Sequence, residues 1–255
     1  MRVLMVGDVV GRAGRRAVKT LLSTLRDEFN LDFIVVNAEN AAGGLGLTPD
    51  TAHELFDAGA DVLTSGNHIW DKREIYPMLE GDLPILRPLN YPPGVPGQGS
   101  LTKRGILVVN VMGRTFMNLN LDCPFRAMDR LLAEPHPPVV LVDLHAEATS
   151  EKVAMGWYLD GRVSAVVGTH THVATADVRL LKRGTAYVSD LGMSGARDSV
   201  IGVEVDAVIE RFLTGVPNRF ITAEHGPIIF NAVLIDIDAE SGRSRAIQRL
   251  DREIA

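Results

Sequence analysis

The chain has 255 residues, 46% of them hydrophobic and 23% charged, with a formal net charge of −6. That is enough apolar material for one large α/β core, and the acidic balance argues against a large nucleic-acid footprint while leaving a small nucleotide substrate open. One cysteine, Cys123, excludes an internal disulfide, and no apolar run approaches the roughly 18 residues of a membrane span, so a cytoplasmic protein with no membrane partner is expected.

Residues 2–7 are a short apolar run that reads as a first buried strand, because the segment lacks the length and cleavage pattern of a signal peptide. Residues 15–29 carry Val18, Leu21, Leu22, Leu25 and Phe29 at helical spacing. Residues 33–36 form the next apolar run. Thr48 and Pro49 then open a helix carrying Leu55 and Phe56, a capping threonine before a proline at the first helical position. Residues 62–64 read as a third strand and 72–79 as a helix. Residues 87–99, with four prolines and three glycines, read as a surface loop. Three β-branched runs follow at 106–112, 139–144 and 163–167, with helices expected between them at 125–132 and 150–159. Buried runs alternating with amphipathic helices predict a layered α/β fold.

The last third changes character. Residues 186–189, 228–237 and 245–250 read as strands of a second, antiparallel sheet, with a turn at Glu240, Ser241 and Gly242. Residues 206–213 read as a helix. The whole chain, 1–255, reads as one domain, with an irregular insertion at about 192–227 expected to cover the site.

Polar residues close the apolar runs. Asp8 follows VLMVG, Glu39 and Asn40 follow the strand-like FIVVNA, and Asn67 and His68 follow TSG. His145 ends VVLVDLH, and His170 and His172 stand in GTHTH. Four of the seven histidines fall in these places. Any one of these residues also fits a turn, a helix cap or a satisfied core histidine. Their shared position matters more, because ligands gather outside the carboxyl ends of strands in open α/β sheets. On an extended chain His170 and His172 would point the same way, about 6 to 7 Å apart, a span that suits one histidine on each of two metals about 4 Å apart. Carboxylate, amide and imidazole donors without thiolate suit Mn, Fe or Zn.

The ordered strings GDVVGRAGR, NAENAAGGLGLT, TSGNHIWD, GTHTHV and SDLGMSG resemble the calcineurin-like metallophosphoesterases, and more closely their YmdB-type branch of bacterial phosphodiesterases. Two departures from the broad superfamily narrow the likeness. Val10 stands where the first motif usually has histidine, and Glu39-Asn40 stands where the second is usually Gly-Asp. The resemblance implies a four-layer α/β/β/α sandwich of two mixed sheets. It implies two divalent or trivalent metal ions, Fe or Mn with Zn as the alternative. One would be held by Asp8, Glu39, Asn40 and His172, the other by Glu39, Asn67, His145 and His170, with Glu39 bridging. His68 takes the place of the proton donor. The implied substrate is a cyclic nucleotide, 2′,3′-cyclic AMP foremost, or a related phosphodiester.

Other residues carry weaker signals. The loop Gly43-Gly44-Leu45-Gly46 either brings backbone N–H groups to a phosphate or is a plain turn. Arg12, Arg15 and Arg16 read as a solvated helix face. Asp71, Asp143 and Asp190 are placed to orient the histidines, although surface or capping roles fit each. His53 and His136 read as structural or surface residues, and so does His225, with an approach to the site from the insertion as its alternative. Trp70 and Tyr91 read as core or surface, with base stacking as the alternative, and Cys123 as inert. The same ligand set serves a phosphomonoesterase or nucleotidase. A non-catalytic, metal-dependent nucleotide sensor is a further alternative, but it has no need of the acid His68. Apolar helix faces in the second half leave a homo-oligomer open.

Overall fold

Alternation within the first apolar run decides the layering. Val3 and Met5 point to one side of their strand and Leu4 and Val6 to the other, and all four are buried. A strand buried on both faces needs cover on both. The computed structural model describes residues 1–254. It contains three mixed sheets.

The first sheet has the strand order Ser244–Arg249, Ala232–Ile237, Arg2–Val6, Phe33–Asn37, Val62–Thr64. Its last three strands are parallel and the other two antiparallel. The second sheet runs Ser100–Lys103, Ile106–Met112, Val139–His145, Ala165–Thr169, Ala186–Val188, Arg179–Leu180. Its four central strands are parallel. A small third sheet runs Arg252–Ile254, Ile228–Phe230, Met193–Ala196, Asp8–Val9.

Six helices serve these sheets: α1 (Gly11–Phe29), α2 (Pro49–Asp57), α3 (Tyr76–Leu79), α4 (Pro124–Leu132), α5 (Thr149–Leu159) and α6 (Val205–Thr214). Three apolar clusters join them. Leu4, Val6, Ile34 and Val36 pack with Val18, Leu22 and Leu25 of α1 and Leu55 of α2. Val3, Met5, Phe33 and Val35 pack against Val108, Leu141, Val167 and Val188 of the second sheet. The far face of that sheet, Val109, Val140 and Val142, packs with Met128 of α4 and Met155 and Leu159 of α5. α1 ends at Asn30, a left-handed cap at φ 50° whose N–H bonds back to Arg26 and Asp27. α2 opens as expected, with Thr48 in a capping box and Pro49 in the first turn.

Several expectations are corrected. The run 228–237 is two strands in two sheets, divided at Asn231, whose carbonyl accepts from Gly7 N at 2.9 Å. Ala186–Val188 pairs parallel to Ala165–Thr169 in the second sheet, not in a separate antiparallel one. Ser244–Arg249 joins the first sheet. The helix expected at 72–79 is a 3₁₀ turn at Arg73–Ile75 followed by the short α3, as Pro77 cannot donate within a longer helix. Among the described residues no helix is long and apolar enough to cross a membrane.

Candidate metal centre

The parallel strands of both large sheets deliver their carboxyl ends to one place. Asp8 lies just beyond Val6, Glu39 beyond Asn37, and Asn67 and His68 beyond Thr64. From the second sheet come His145, the last residue of its strand, and His170, just past Thr169. His145 and Thr169 are register partners, so the two histidines start side by side.

The donor atoms point inward at each other. His145 Nε2 lies 2.6 Å from Glu39 Oε2, 3.1 Å from Asn67 Oδ1 and 3.0 Å from His170 Nδ1. His172 Nε2 lies 3.3 Å from Asn40 Oδ1 and 4.0 Å from Asp8 Oδ1. The seven expected ligand residues therefore fall into two adjoining sets. Atoms of Glu39, His145 and His170 all lie within 4.8 Å of one another, the spacing of a metal site.

Outer contacts fix which atoms face in. Thr169 Oγ1 donates to Asp143 Oδ1 at 2.7 Å, so it accepts from His145 Nδ1–H at 3.0 Å and leaves the Nε2 lone pair inward. His172 Nδ1–H donates to the Ile201 carbonyl at 2.8 Å, which likewise turns its Nε2 lone pair to the site. Asn40 donates its Nδ2 to Gly44 O at 2.9 Å, which directs Oδ1 inward. Asn37 holds Asp143 at 3.0 Å through Nδ2 and accepts from Glu39 N through Oδ1 at 3.1 Å.

Of the fully buried carboxylates, two have an oxygen without a hydrogen-bond donor: Asp8 Oδ1 and Glu39 Oε2. The 2.6 Å approach of Glu39 Oε2 to His145 is no hydrogen bond, because both atoms present lone pairs. Burial pushes the Glu39 carboxyl up to about 7 and holds Asp8 well above the usual carboxylate range, with Asp190 and Glu39 adding repulsion. Burial also lowers His145 and His172, and takes His170 down to about 3. Neutral imidazoles and orphaned carboxylate oxygens converging without donors form a cage that a cation fits.

The loop between the two sheets' sites is strained. His170 has φ 100° and His172 φ 65°, left-handed values that side chains rarely adopt. The extended chain expected for this pair is therefore wrong, and the two rings reach separate ligand sets through a twist. Between them Thr171 gives its N–H and hydroxyl to Asp190 Oδ2 at 3.1 and 2.8 Å. Asp190 in turn is paired with the buried Lys152 at 2.6 Å. Gly66 is required by space, since a Cβ there would sit 1.8 Å from Glu39 Oε2.

His68 stands apart from the cage. Its Nδ1 meets Asp71 Oδ2 at 2.8 Å, and its Nε2 is 3.9 Å from Glu39 Oε1. Beside it opens a cavity of about 730 Å³ bordered by Asn40, His68, His172, Gly43, Gly44 and the segment 200–222. Within 192–227, the structure has the strand Met193–Ala196 and helix α6.

Asp71 bonds His68, Asp143 bonds Thr169, which holds His145, and Asp190 bonds Thr171 between His170 and His172. Sequence reasoning missed Asn37, Thr169 and Lys152, and also Glu147, whose Oε2 is 3.2 Å from His170 Nε2. Arg15 is engaged by Glu54 at 2.6 Å and Arg12 by Glu224 at 3.5 Å, away from the cage. His225 lines a different cavity. Trp70 packs edge-on against Tyr76 and Tyr91.

Known proteins resemble this chain along nearly its whole length. A 2′,3′-cyclic-nucleotide 2′-phosphodiesterase of Bacillus subtilis strain 168 is 46% identical over 256 residues, covering 98% of this chain and 96% of the relative. A crystal structure of a protein from Thermus thermophilus superposes with a TM-score of 0.93 at 49% identity, covering 99% of both chains. A novel phosphatase from Mycoplasma pneumoniae superposes with a TM-score of 0.94 at 31% identity, over 99% of this chain and 93% of that one. The YmdB-like protein family matches residues 4–250, and the chain belongs to that family.

Proposed function

We propose that the chain is a dinuclear metal-dependent phosphodiesterase that hydrolyses 2′,3′-cyclic nucleotides. The observation that carries this reading is the pair of buried carboxylate oxygens without donors, Asp8 Oδ1 and Glu39 Oε2, facing the inward Nε2 lone pairs of His145 and His172. The named activity of the Bacillus subtilis relative supports the substrate class. In this reading Asp8, Asn40 and His172 serve one ion, Asn67, His145 and His170 the other, and Glu39 both. Iron or manganese suits these donors, with zinc as the alternative. Two such ions supply Lewis acidity that acidifies water and offsets phosphate charge.

The chain's own residues do the rest. The imidazoles arrive neutral, and Glu39, whose carboxyl burial holds up at about 7, would give up its proton to serve as a ligand. His68, anchored by Asp71 at Nδ1, presents Nε2 at the cavity and protonates the leaving alkoxide, a role worth roughly 10²–10⁴ in rate. Arg211 is the one lysine or arginine in the cavity wall. A monoester dianion would call for more positive charge, so a diester monoanion is favoured over the phosphomonoesterase alternative. The three apolar clusters support a four-layer α/β/β/α order within one domain, with 192–227 as the cover.

The test is turnover of 2′,3′-cyclic AMP by Mn²⁺-reconstituted protein, with EDTA-treated protein and His68→Ala beside it. Turnover that EDTA abolishes, and that His68→Ala lowers with metal content retained, is expected. Equal activity in EDTA overturns the metal reading, and metal loss in His68→Ala overturns its role as acid.

A further inference from the structure

We infer that the cavity wall built from residues 200–222 is a nucleobase subsite, which fixes what part of the substrate lies beside the metal centre. This rests on the phosphodiester reading above. The wall is apolar and open. Phe212 is 85% exposed, Ile201 49% and Phe220 43%. Contiguous exposed apolar surface marks a place where something binds. What binds is indicated by continuity, because the same cavity that holds these residues is bordered by Asn40, His68 and His172. A ligand with its phosphate at the cage therefore extends its remaining bulk along this wall. In a nucleoside phosphate the bulk that is apolar on its faces is the base.

The wall also has the shape and chemistry of a flat, acceptor-bearing ring. The Arg211 guanidinium carbon lies over the Phe220 ring, 4.8 Å from its centroid. Guanidinium donates only, so it recognises ring nitrogens and carbonyl oxygens on a base edge. Gly43 and Gly44 border the cavity opposite the wall, and Gly44 packs so close to it that a Cβ there would sit 2.5 Å from Thr222 Oγ1. The cavity, at about 730 Å³, is within the size of small-molecule sites.

The wall is fixed relative to the cage rather than free. His172 donates to Ile201 O at 2.8 Å, and Thr222 Oγ1 donates to Gly43 O at 2.8 Å. One strap thus links a ligand imidazole to the wall, and the other links the wall to the loop that follows Asn40. A base subsite held in this way is preorganised, so substrate binding does not have to order it.

The experiment compares 2′,3′-cyclic AMP with ribose 2′,3′-cyclic phosphate, which has no base, in the Mn²⁺-loaded wild type, Phe220→Ala and Phe220→Trp. Titration calorimetry with adenosine 3′-monophosphate and ribose 5-phosphate gives a readout that does not depend on turnover. The expected result is that Phe220→Ala lowers the preference for the base-bearing member of each pair by about tenfold, the size of a lost base–aromatic stack, and Phe220→Trp restores it. Equal losses with and without the base, or no loss with either, overturn the subsite. So does a Phe220→Ala or Phe212→Ala protein whose mass by light scattering falls while base preference stays, since that wall would then meet a second copy of the chain. If metal-loaded wild type turns over neither ester, the phosphodiesterase reading fails. Calorimetric preference for the adenosine ligand would then still uphold the subsite, and its absence would overturn it.

Discussion

Replacing Glu39 by Gln should make the metal-free protein more stable while removing its function. Glu39 is fully buried and its carboxyl is pushed from 4.5 up to about 7, first of all by burial. Between those values the folded state keeps the proton that the unfolded chain releases, so raising the pH through this interval destabilises the fold. At about 1.4 kcal/mol per pH unit, the ionised form at pH 8 costs about 3 kcal/mol. The amide carries no such cost. Its oxygen keeps the bond from His68 N, now 3.2 Å from Glu39 Oε1, and its N–H₂ meets the His145 lone pair. The assay is urea denaturation of both proteins in EDTA at pH 5 and pH 8. The variant should gain about 3 kcal/mol at pH 8, and much less at pH 5, where Glu39 is mostly protonated in the fold. In both proteins the lowered histidines take stability away as pH falls below about 6.5. Mn²⁺ at a thousandfold excess over Kd should reverse the order, because only the wild type gains the linkage term, about 4.1 kcal/mol. A gap of the same size at both pH values, or no gap in EDTA, would refute the account of Glu39 as a desolvated ligand awaiting a cation.

Three further outcomes follow from the same geometry. Gly66→Ala places a methyl 1.8 Å from Glu39 Oε2 and 2.2 Å from His145 Cδ2, so activity should fall at least about 100-fold with metal content, read by plasma emission. Lys152→Met leaves Asp190 charged and buried without its 2.6 Å partner, and should cost about 3–5 kcal/mol by denaturation; Lys152→Met with Asp190→Asn should recover most of it. Asp71→Asn weakens the hold on His68 Nδ1 without touching the cage, so kcat should drop about tenfold at unchanged metal content; metal loss in that variant would place Asp71 in the cage.

The strands were legible because each has its own two-sided apolar run, as in residues 2–6, 33–37 and 139–145, and the site was legible because its donors close those runs. Sheet membership was not. Residues 228–237 read as one strand, since Ile, Phe, Val and Leu on either side of Asn231 look alike whether the chain stays in a sheet or leaves it. The short strands Asp8–Val9, Met193–Ala196 and Arg252–Ile254 carry too few residues for a period to show. Lys152 sits on a helix where a lysine ordinarily means solvent, and only the fold sets it against Asp190. Thr169 is an ordinary threonine in sequence, yet its hydroxyl decides the tautomer of His145. Spacing also misled at His170 and His172, because it carries no sign of positive φ.

The conformation of that loop shows where rigidity has been placed. Two left-handed histidines should each cost on the order of 1–3 kcal/mol, and they persist only if neighbours over-determine them. Asp190 does so from below, taking both the N–H and the hydroxyl of Thr171 while its other oxygen accepts from Gly192 N at 2.8 Å. Arg249, reaching from the edge strand of the first sheet, donates to the carbonyls of Asp190 and Leu191. Strain in the loop, the ion pair beneath it and the arginine across it are thus one construction. It holds His170 and His172 where a relaxed strand would not put them. The strained backbone and the inward lone pairs coincide, as a site shaped for a charge not supplied by the chain requires.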